Sequence, residues 1–160
     1  MSSSESISIR QLSANDLALM EDLLTTFGEA FDEVDTYSSS RPSNAYLKRL
    51  LSSDYFIALA ALENGSVVGG IAAYELQKFE QERSEIYIYD LAVAAAHRRK
   101  GIATALIQEL KKIAVARAAY VIFVQSDIGD DPAIALYTKL GTREDVLHFD
   151  IAVVASDDDA

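Results

Sequence analysis

Between Glu85 and Gln125 the apolar residues change period twice, and that change limits the folds open to the chain. Glu85-Ile-Tyr-Ile-Tyr-Asp-Leu-Ala-Val93 is rich in β-branched and aromatic residues at a spacing of two, the pattern of a strand. From about Arg99 to about Ala118, Ile102, Leu106, Leu110 and Ile113 recur at steps of three and four, the stripe of an amphipathic helix. Tyr120 to Gln125 is again strand-like. Strand, helix, strand in one sheet implies parallel neighbours joined by a right-handed crossover. This segment alone excludes an all-helical or all-β fold.

The flanking sequence extends the α/β alternation. Ile7 to Leu12 predicts a short first strand, and Ser13-Ala-Asn-Asp16 resembles a capping box. A helix follows, with Leu17, Met20, Leu24, Phe27 and Phe31 on its buried face. Polar residues over 32–42 break that period, and Tyr46, Leu47, Leu50 and Leu51 restart it as a short helix. Tyr55 to Leu62 and Val67 to about Leu76 flank Asn64-Gly65, the dipeptide that favours a tight hairpin turn. After Gln125, Asp131 is expected to cap a last helix with Pro132 at its first position and Gly141 behind it. Leu147 to Val154 is expected as a final strand.

Composition narrows the function. With 160 residues, 50% hydrophobic and 24% charged, the chain suits one globular domain. The expected layout is one domain over 1–155 and a disordered acidic tail at 156–160. The absence of cysteine excludes disulfides, thiolate metal sites and a cysteine nucleophile. The longest apolar run, Tyr55 to Leu62, is far below the ~20 residues that cross a bilayer. MSSSESISIR lacks the pattern of a secretory signal, so the expected location is cytoplasmic, with no membrane partner. A formal charge of −11 disfavours nucleic acid and makes a cationic partner more plausible.

Against that acidic background, His97-Arg-Arg-Lys-Gly-Ile-Ala-Thr-Ala105 puts three cations where a helix begins. Helix N-termini carry partial positive charge, so Arg98, Arg99 and Lys100 repel that end unless an anion sits there. Arg98-x-x-Gly101-x-Ala103 keeps small residues at the turn, where backbone N–H groups bind phosphate. The chain has neither a P-loop motif nor Gly-x-Gly-x-x-Gly. A solvated charge run before a helix is one reading; its position after a strand and turn points instead to a different phosphate-bearing cofactor.

Arg98, Gly101 and Ala103, with Leu91-Ala-Val93 before them and Ala133-Ile-Ala-Leu-Tyr-Thr-Lys-Leu-Gly141 after, resemble the GCN5-related N-acetyltransferase (GNAT) superfamily. EIYIYDLAV, HRRKGIATALI, GDDPAIALYTKLG and HFDI, with FIALAA upstream, are most similar to aminoglycoside 3-N-acetyltransferases acting on gentamicin. The resemblance implies a single α/β GNAT domain. Its mixed, twisted central sheet would be flanked by about four helices and splayed to admit acetyl-coenzyme A. The cosubstrate would lie on Leu91, Ala92, Val93, Arg98, Arg99, Lys100, Gly101, Ile102, Ala103 and Thr104. The resemblance also implies direct transfer to an amine, a small cationic aminoglycoside as partner, antibiotic resistance as outcome, and a homodimer.

In that scheme Tyr137 donates a proton or hydrogen bond to the leaving sulfur. Glu85, on the polar face of its strand with Tyr87, and Asp150, between Phe149 and Ile151, are alternative bases. Glu33, Asp35 and Asp127 are candidates for holding substrate ammonium groups. His97 reads as a solvated loop residue. His148-x-Asp150 reads as a hydrogen-bonded pair beside the substrate, because two residues without further His or Cys make a poor metal site. No metal is expected. Two other readings stay open: an acetyltransferase for another polyamine or peptide amine, and a non-catalytic acyl-coenzyme A sensor that binds a basic partner.

Overall fold

The computed structural model describes residues 6–154, so the acidic tail expected at 156–160 lies outside them. The described residues fall into two compact units, one up to Gln125 and one from Ser126.

The first unit is built on a five-stranded sheet in the order β1-β2-β3-β4-β5. Its strands are β1 (Ile7–Gln11), β2 (Phe56–Glu63), β3 (Ser66–Gln77), β4 (Ser84–Val93) and β5 (Ala119–Val124). The first four are antiparallel neighbours. β5 joins β4 in parallel, through the crossover helix α4 (Ile102–Ala116); α1 (Leu17–Ala30), α2 (Val34–Ser38) and α3 (Asn44–Ser52) precede it. The β2–β3 turn forms as the Asn-Gly pair requires, with positive φ at both Asn64 and Gly65.

Both faces of the sheet are covered. On one, Phe56, Ala58, Ala60, Ala72 and Ala92 pack with Met20, Leu23 and Phe27 of α1 and Leu47 and Leu51 of α3. On the other, Ile57, Leu59, Ile71, Ala73, Ile86 and Ile88 are buried, and α4 crosses all five strands, burying Ile102, Leu106, Ile107, Leu110 and Ala114.

The floor beneath α1 is made of small residues because the helix lies close to it. A Cβ on Gly70 would stand 2.4 Å from the Leu59 carbonyl oxygen and 2.4 Å from Leu23 Cδ1. Backbone cannot yield there. Gly70→Ala is therefore expected to destabilise by about 1–3 kcal/mol through overpacking, read as a lower urea midpoint with unchanged slope.

Several local expectations are corrected. The polar break at 32–42 contains α2, a single short helix. Asp16 does not cap α1 with its side chain; it accepts from the Ser13 N–H at 2.8 Å and pairs with Arg10 at 2.6 Å. Only the backward half of a capping box is present. In the second unit, α5 (Asp131–Leu140) is capped by Asp130, whose side chain accepts from the Ala133 N–H at 3.4 Å. The strand expected at Leu147 to Val154 is absent: residues 142–154 form neither helix nor strand. Alternation marks a one-sided strand, but a strand also needs a neighbour for its backbone, and among the described residues none pairs with this run. Among the described residues no helix is long and apolar enough to cross a membrane.

Candidate active site

The site begins where β4 parts from β5. Their parallel ladder runs from Ser84↔Ala119 to Ile88↔Val124 and ends there, while β4 continues to Val93 against β3. The β5-side edge of residues 89–93 is thus open. On the β3 side, Ile88 pairs with Ala73 and Asp90 with Ala72, so Tyr89 is an inserted residue. Such a bulge bends the strand and reverses the facing of the residues beyond it.

That reversal corrects the sequence reading. Simple alternation puts Asp90 with the buried Ile86 and Ile88, and Tyr89 with Glu85 and Tyr87. The register instead puts Asp90 beside Ala72, on the face that α1 and α3 cover, and leaves Tyr89 62% exposed. Tyr37 of α2 donates from its hydroxyl to Asp90 Oδ2 at 2.9 Å. Burial pushes the Asp90 carboxyl above the usual carboxylate range, and the nearby Glu33 charge adds to this. The Tyr37 bond opposes it.

Aromatic rings surround this carboxylate. Tyr74 meets Tyr89 edge-on at 6.0 Å, Tyr89 meets Tyr87 at 5.9 Å, and Tyr87 stacks on Phe123 at 4.6 Å. The Tyr87 hydroxyl donates to Gln125 Oε1 at 3.1 Å. Burial raises the phenol pKa values of Tyr37, Tyr74 and Tyr87, and the Asp90 charge adds to each. All three therefore remain neutral donors. A wall of aromatic faces with a carboxylate in it suits a cationic ligand.

From Val93 the chain turns through a 3-10 segment, Ala95–His97, into the start of α4. Arg99 and Gly101 both have positive φ, and the helix start carries neither an acidic residue nor a side-chain cap. The first intrahelical bond is Ala105 N–H to the Gly101 carbonyl at 3.0 Å, which leaves the N–H groups of residues 101–104 for an outside acceptor. Arg98, Arg99 and Lys100 are exposed around them, and Arg98 Nε donates to the Val93 carbonyl at 3.2 Å. Nothing lies within 4 Å of a Cβ built on Gly101. The open N–H groups, the three cations and the free strand edge fit a diphosphate attached to an amide-bearing arm. Ile102 contributes only its backbone here, since its side chain is in the core. His97 is not a solvated loop residue: it is half-buried and hydrogen-bonded to Glu63 at the end of β2.

The remaining candidates lie in several places. Glu85 accepts from the Tyr120 hydroxyl at 3.0 Å and lies 3.8 Å from Lys78 Nζ, where β4 and β5 are still paired. At about 3.3 Å per residue this is roughly 15 Å from Asp90. Glu33 stands at the N-cap position of α2 without a side-chain capping bond and Asp35 lies in its first turn, both exposed. In the second unit, Tyr137 is half-buried, and burial, then the Asp130 charge, raises its pKa. Asp127 is exposed, and His148 Nε2 and Asp150 Oδ1 form an exposed pair at 2.8 Å. The structure therefore groups Glu33, Tyr87 and Asp90 with Tyr37, and ties Glu85 elsewhere. Sequence reading missed Asp90 and Tyr37. The available signal was a carboxylate set directly before Leu91-Ala-Val93 in an otherwise apolar strand end.

A family model described as Acetyltransferase (GNAT) family matches residues 17–142. The chain is 70% identical to an aminoglycoside acetyltransferase from an uncultured soil metagenomic sample, with TM-score 0.92 over 93% of this chain and 99% of that one. A second soil metagenomic aminoglycoside acetyltransferase, solved in complex with sisomicin, is 30% identical, with TM-score 0.86 over 92% of this chain and 97% of that one. The uncharacterized N-acetyltransferase YhfO of Bacillus subtilis is 26% identical over 151 residues, 93% of this chain and 99% of its own length. Motif order, the parted strands and the match over most of its length agree: this chain belongs to the acetyltransferase (GNAT) family.

Proposed function

We propose that the protein is an acetyl-coenzyme A-dependent N-acetyltransferase that acetylates aminoglycosides, at the 3-amino group of gentamicin-type substrates, and thereby confers resistance. The observation that carries this reading is Asp90, a half-buried, proton-retentive carboxylate set among tyrosine faces at the open edge of β4. The 70%-identical relative, named as an aminoglycoside acetyltransferase, and the relative solved with sisomicin support the substrate class.

When bound, acetyl-coenzyme A supplies the acetyl group as a thioester. The N–H groups of residues 101–104, with Arg98, Arg99 and Lys100, hold its diphosphate. The open edge of Leu91, Ala92 and Val93 pairs with the amides of its arm. Asp90 takes the proton from the substrate ammonium, directly or through one water. The Tyr37 hydroxyl holds that carboxylate in place and limits the rise in its pKa. Tyr74, Tyr87 and Tyr89 offer ring faces to the sugar and its cations, and Glu33 and Asp35 add negative charge beside them. Tyr137 keeps its phenolic proton for the departing sulfur, and Asp127, His148 and Asp150 are left with substrate binding. Glu85 is assigned to the Lys78–Tyr120 network in place of the chemistry.

The test is thiol release with gentamicin, sisomicin, spermidine and short peptides, followed by NMR of the acetylated product. Turnover of gentamicin with acetyl at the 3-amino nitrogen is expected. Acetyl at another ring position refutes the regiochemistry, and turnover of spermidine or peptides alone refutes the substrate class. Arg98→Ala is expected to raise the KM for acetyl-coenzyme A roughly tenfold, by loss of one charge-assisted contact. Its kcat should change by less than about threefold, and the KM effect should shrink as salt is added.

A further inference from the structure

None of the five residues of α2 is buried, yet this helix carries the Tyr37 hydroxyl that bonds Asp90 and has Glu33 at its N-cap position. A helix this short does not hold itself together. Its packing comes from α1: Phe27 and Phe31 meet the Tyr37 ring at 6.2 Å and 6.0 Å, and a Cβ on Gly28 would stand 3.1 Å from the Tyr37 Cβ.

The two ends of α2 are held differently. At the first, the Glu33 N–H donates to the Gly28 carbonyl at 2.8 Å, across a turn in which Asp32 takes a positive φ. At the second, the half-buried Arg41 side chain supplies the contacts. Its Nε and Nη2 donate to the Tyr37 carbonyl at 3.2 Å and 3.1 Å, while Nη1 donates to the Glu21 carbonyl at 3.3 Å and to Glu21 Oε2 at 2.9 Å. Nη2 also donates to Thr25 Oγ1 at 3.2 Å and to Ser38 Oγ at 3.3 Å. The planar fork of a guanidinium serves all of these at once. The last carbonyls of a helix have no partner within it, so the Tyr37 carbonyl is open to such a donor.

We propose that Arg41 is a positioning residue for acetyl transfer, tying the Tyr37 backbone to Glu21 and Thr25 of α1 so that the Tyr37 hydroxyl meets Asp90. The tyrosine is then pinned at both ends, its carbonyl by Arg41 and its hydroxyl by the carboxylate. Because the ring between them is rigid, a backbone displacement of about 1 Å carries the 2.9 Å contact out of hydrogen-bond range. The groups facing Asp90 are Glu33 and the phenols of Tyr37, Tyr74 and Tyr87. Burial and Glu33 raise the carboxyl pKa, and the Tyr37 bond lowers it. Loss of Arg41 therefore raises it. The hold on the Tyr37–Asp90 bond stands without the acetyltransferase reading; its effect on turnover rests on Asp90 being the base.

The Asp90 carboxyl can be followed directly by carbon NMR titration of the full chain, with Asp90→Asn identifying its signal. Arg41→Ala is expected to move the Asp90 midpoint up by roughly 0.5–1 pH unit, the loss of one hydrogen bond to a charged group. Glu21→Gln, a milder change on the α1 side of the clamp, should move it in the same direction by less. In a Tyr37→Phe chain, where the hydroxyl is already gone, Arg41→Ala should add nothing. A general loosening of the fold, or the mere removal of one positive charge, would shift both backgrounds alike. Equal shifts with and without the hydroxyl, or no shift in Arg41→Ala, overturn the proposal. The acid limb of kcat/KM is expected to follow the NMR midpoint. If the midpoint moves and the limb does not, the assignment of Asp90 as base fails while the positioning by Arg41 stands.

Discussion

Asp90→Asn is expected to lower kcat by about 10²–10⁴-fold, the contribution of a positioned general base, while leaving the KM for acetyl-coenzyme A near the wild-type value. The pH profile separates this from a structural defect. The wild-type carboxyl holds its proton above the ordinary carboxylate range because it is buried beside Glu33. The base is therefore disabled on the acid side, and kcat/KM rises as pH climbs through that elevated value. Asp90→Asn removes this limb. Tyr37→Phe keeps it but moves it to higher pH, because the 2.9 Å hydroxyl contact is what pulls the Asp90 pKa down. Stability runs the other way. The folded state binds the Asp90 proton more tightly than the unfolded chain, so this group's stabilisation is full below the unfolded carboxylate pKa. It is lost as pH rises through the folded value. Asp90→Asn escapes that loss and should be at least as stable as wild type at neutral pH. A variant that is both inactive and clearly less stable there contradicts the assignment.

Phe27→Ala carries the largest expected cost in stability. Phe27 is 1% exposed in the core between α1, α3 and the sheet, and its ring lies 5.9 Å from Phe31 and 6.2 Å from Tyr37. Truncating a buried phenylalanine costs about 3–5 kcal/mol, and each kcal/mol shifts Tm by about 2–4 °C in a chain of this size. A fall of roughly 6–20 °C is expected by calorimetry. The same change loosens the seat of α2, whose Tyr37 bonds Asp90. Well below the new Tm, the acid limb of kcat/KM should therefore shift upward, in the direction of Tyr37→Phe. Phe27→Leu, which keeps most of the volume, should restore most of both. An unshifted limb in Phe27→Ala would mean that Tyr37 is held by other contacts.

The legible parts of the site and the missed ones differ in the range of the forces behind them. The uncapped, cation-flanked start of α4 was legible because its parts lie within seven residues: Arg98, Arg99 and Lys100 have no electrostatic reason to crowd a helix N-terminus without an anion there. The β2–β3 hairpin was legible for a similar reason, since Asn64-Gly65 fixes its own turn. Asp90 was not. One inserted residue at Tyr89 reverses the parity of the strand, and that insertion is defined only by the register against Ala72 and Ala73. Tyr37 was hidden in a polar stretch whose five-residue helix is too short for periodicity to reveal. Glu85 stood out because alternation assigned it a polar face, whereas its partners Lys78 and Tyr120 come from other parts of the chain.

The sequence by itself determined the α/β alternation, the parallel crossover and the uncapped, cation-flanked turn before α4, because local periodicity, turn chemistry and helix electrostatics act over a few residues. Only the tertiary structure decided which carboxylate sits beside the open edge of β4, and that the alternating run 147–153 forms no strand among the described residues. Both depend on pairing and burial between residues far apart in sequence, and a one-residue shift in register or a missing neighbour changes them without altering any local pattern.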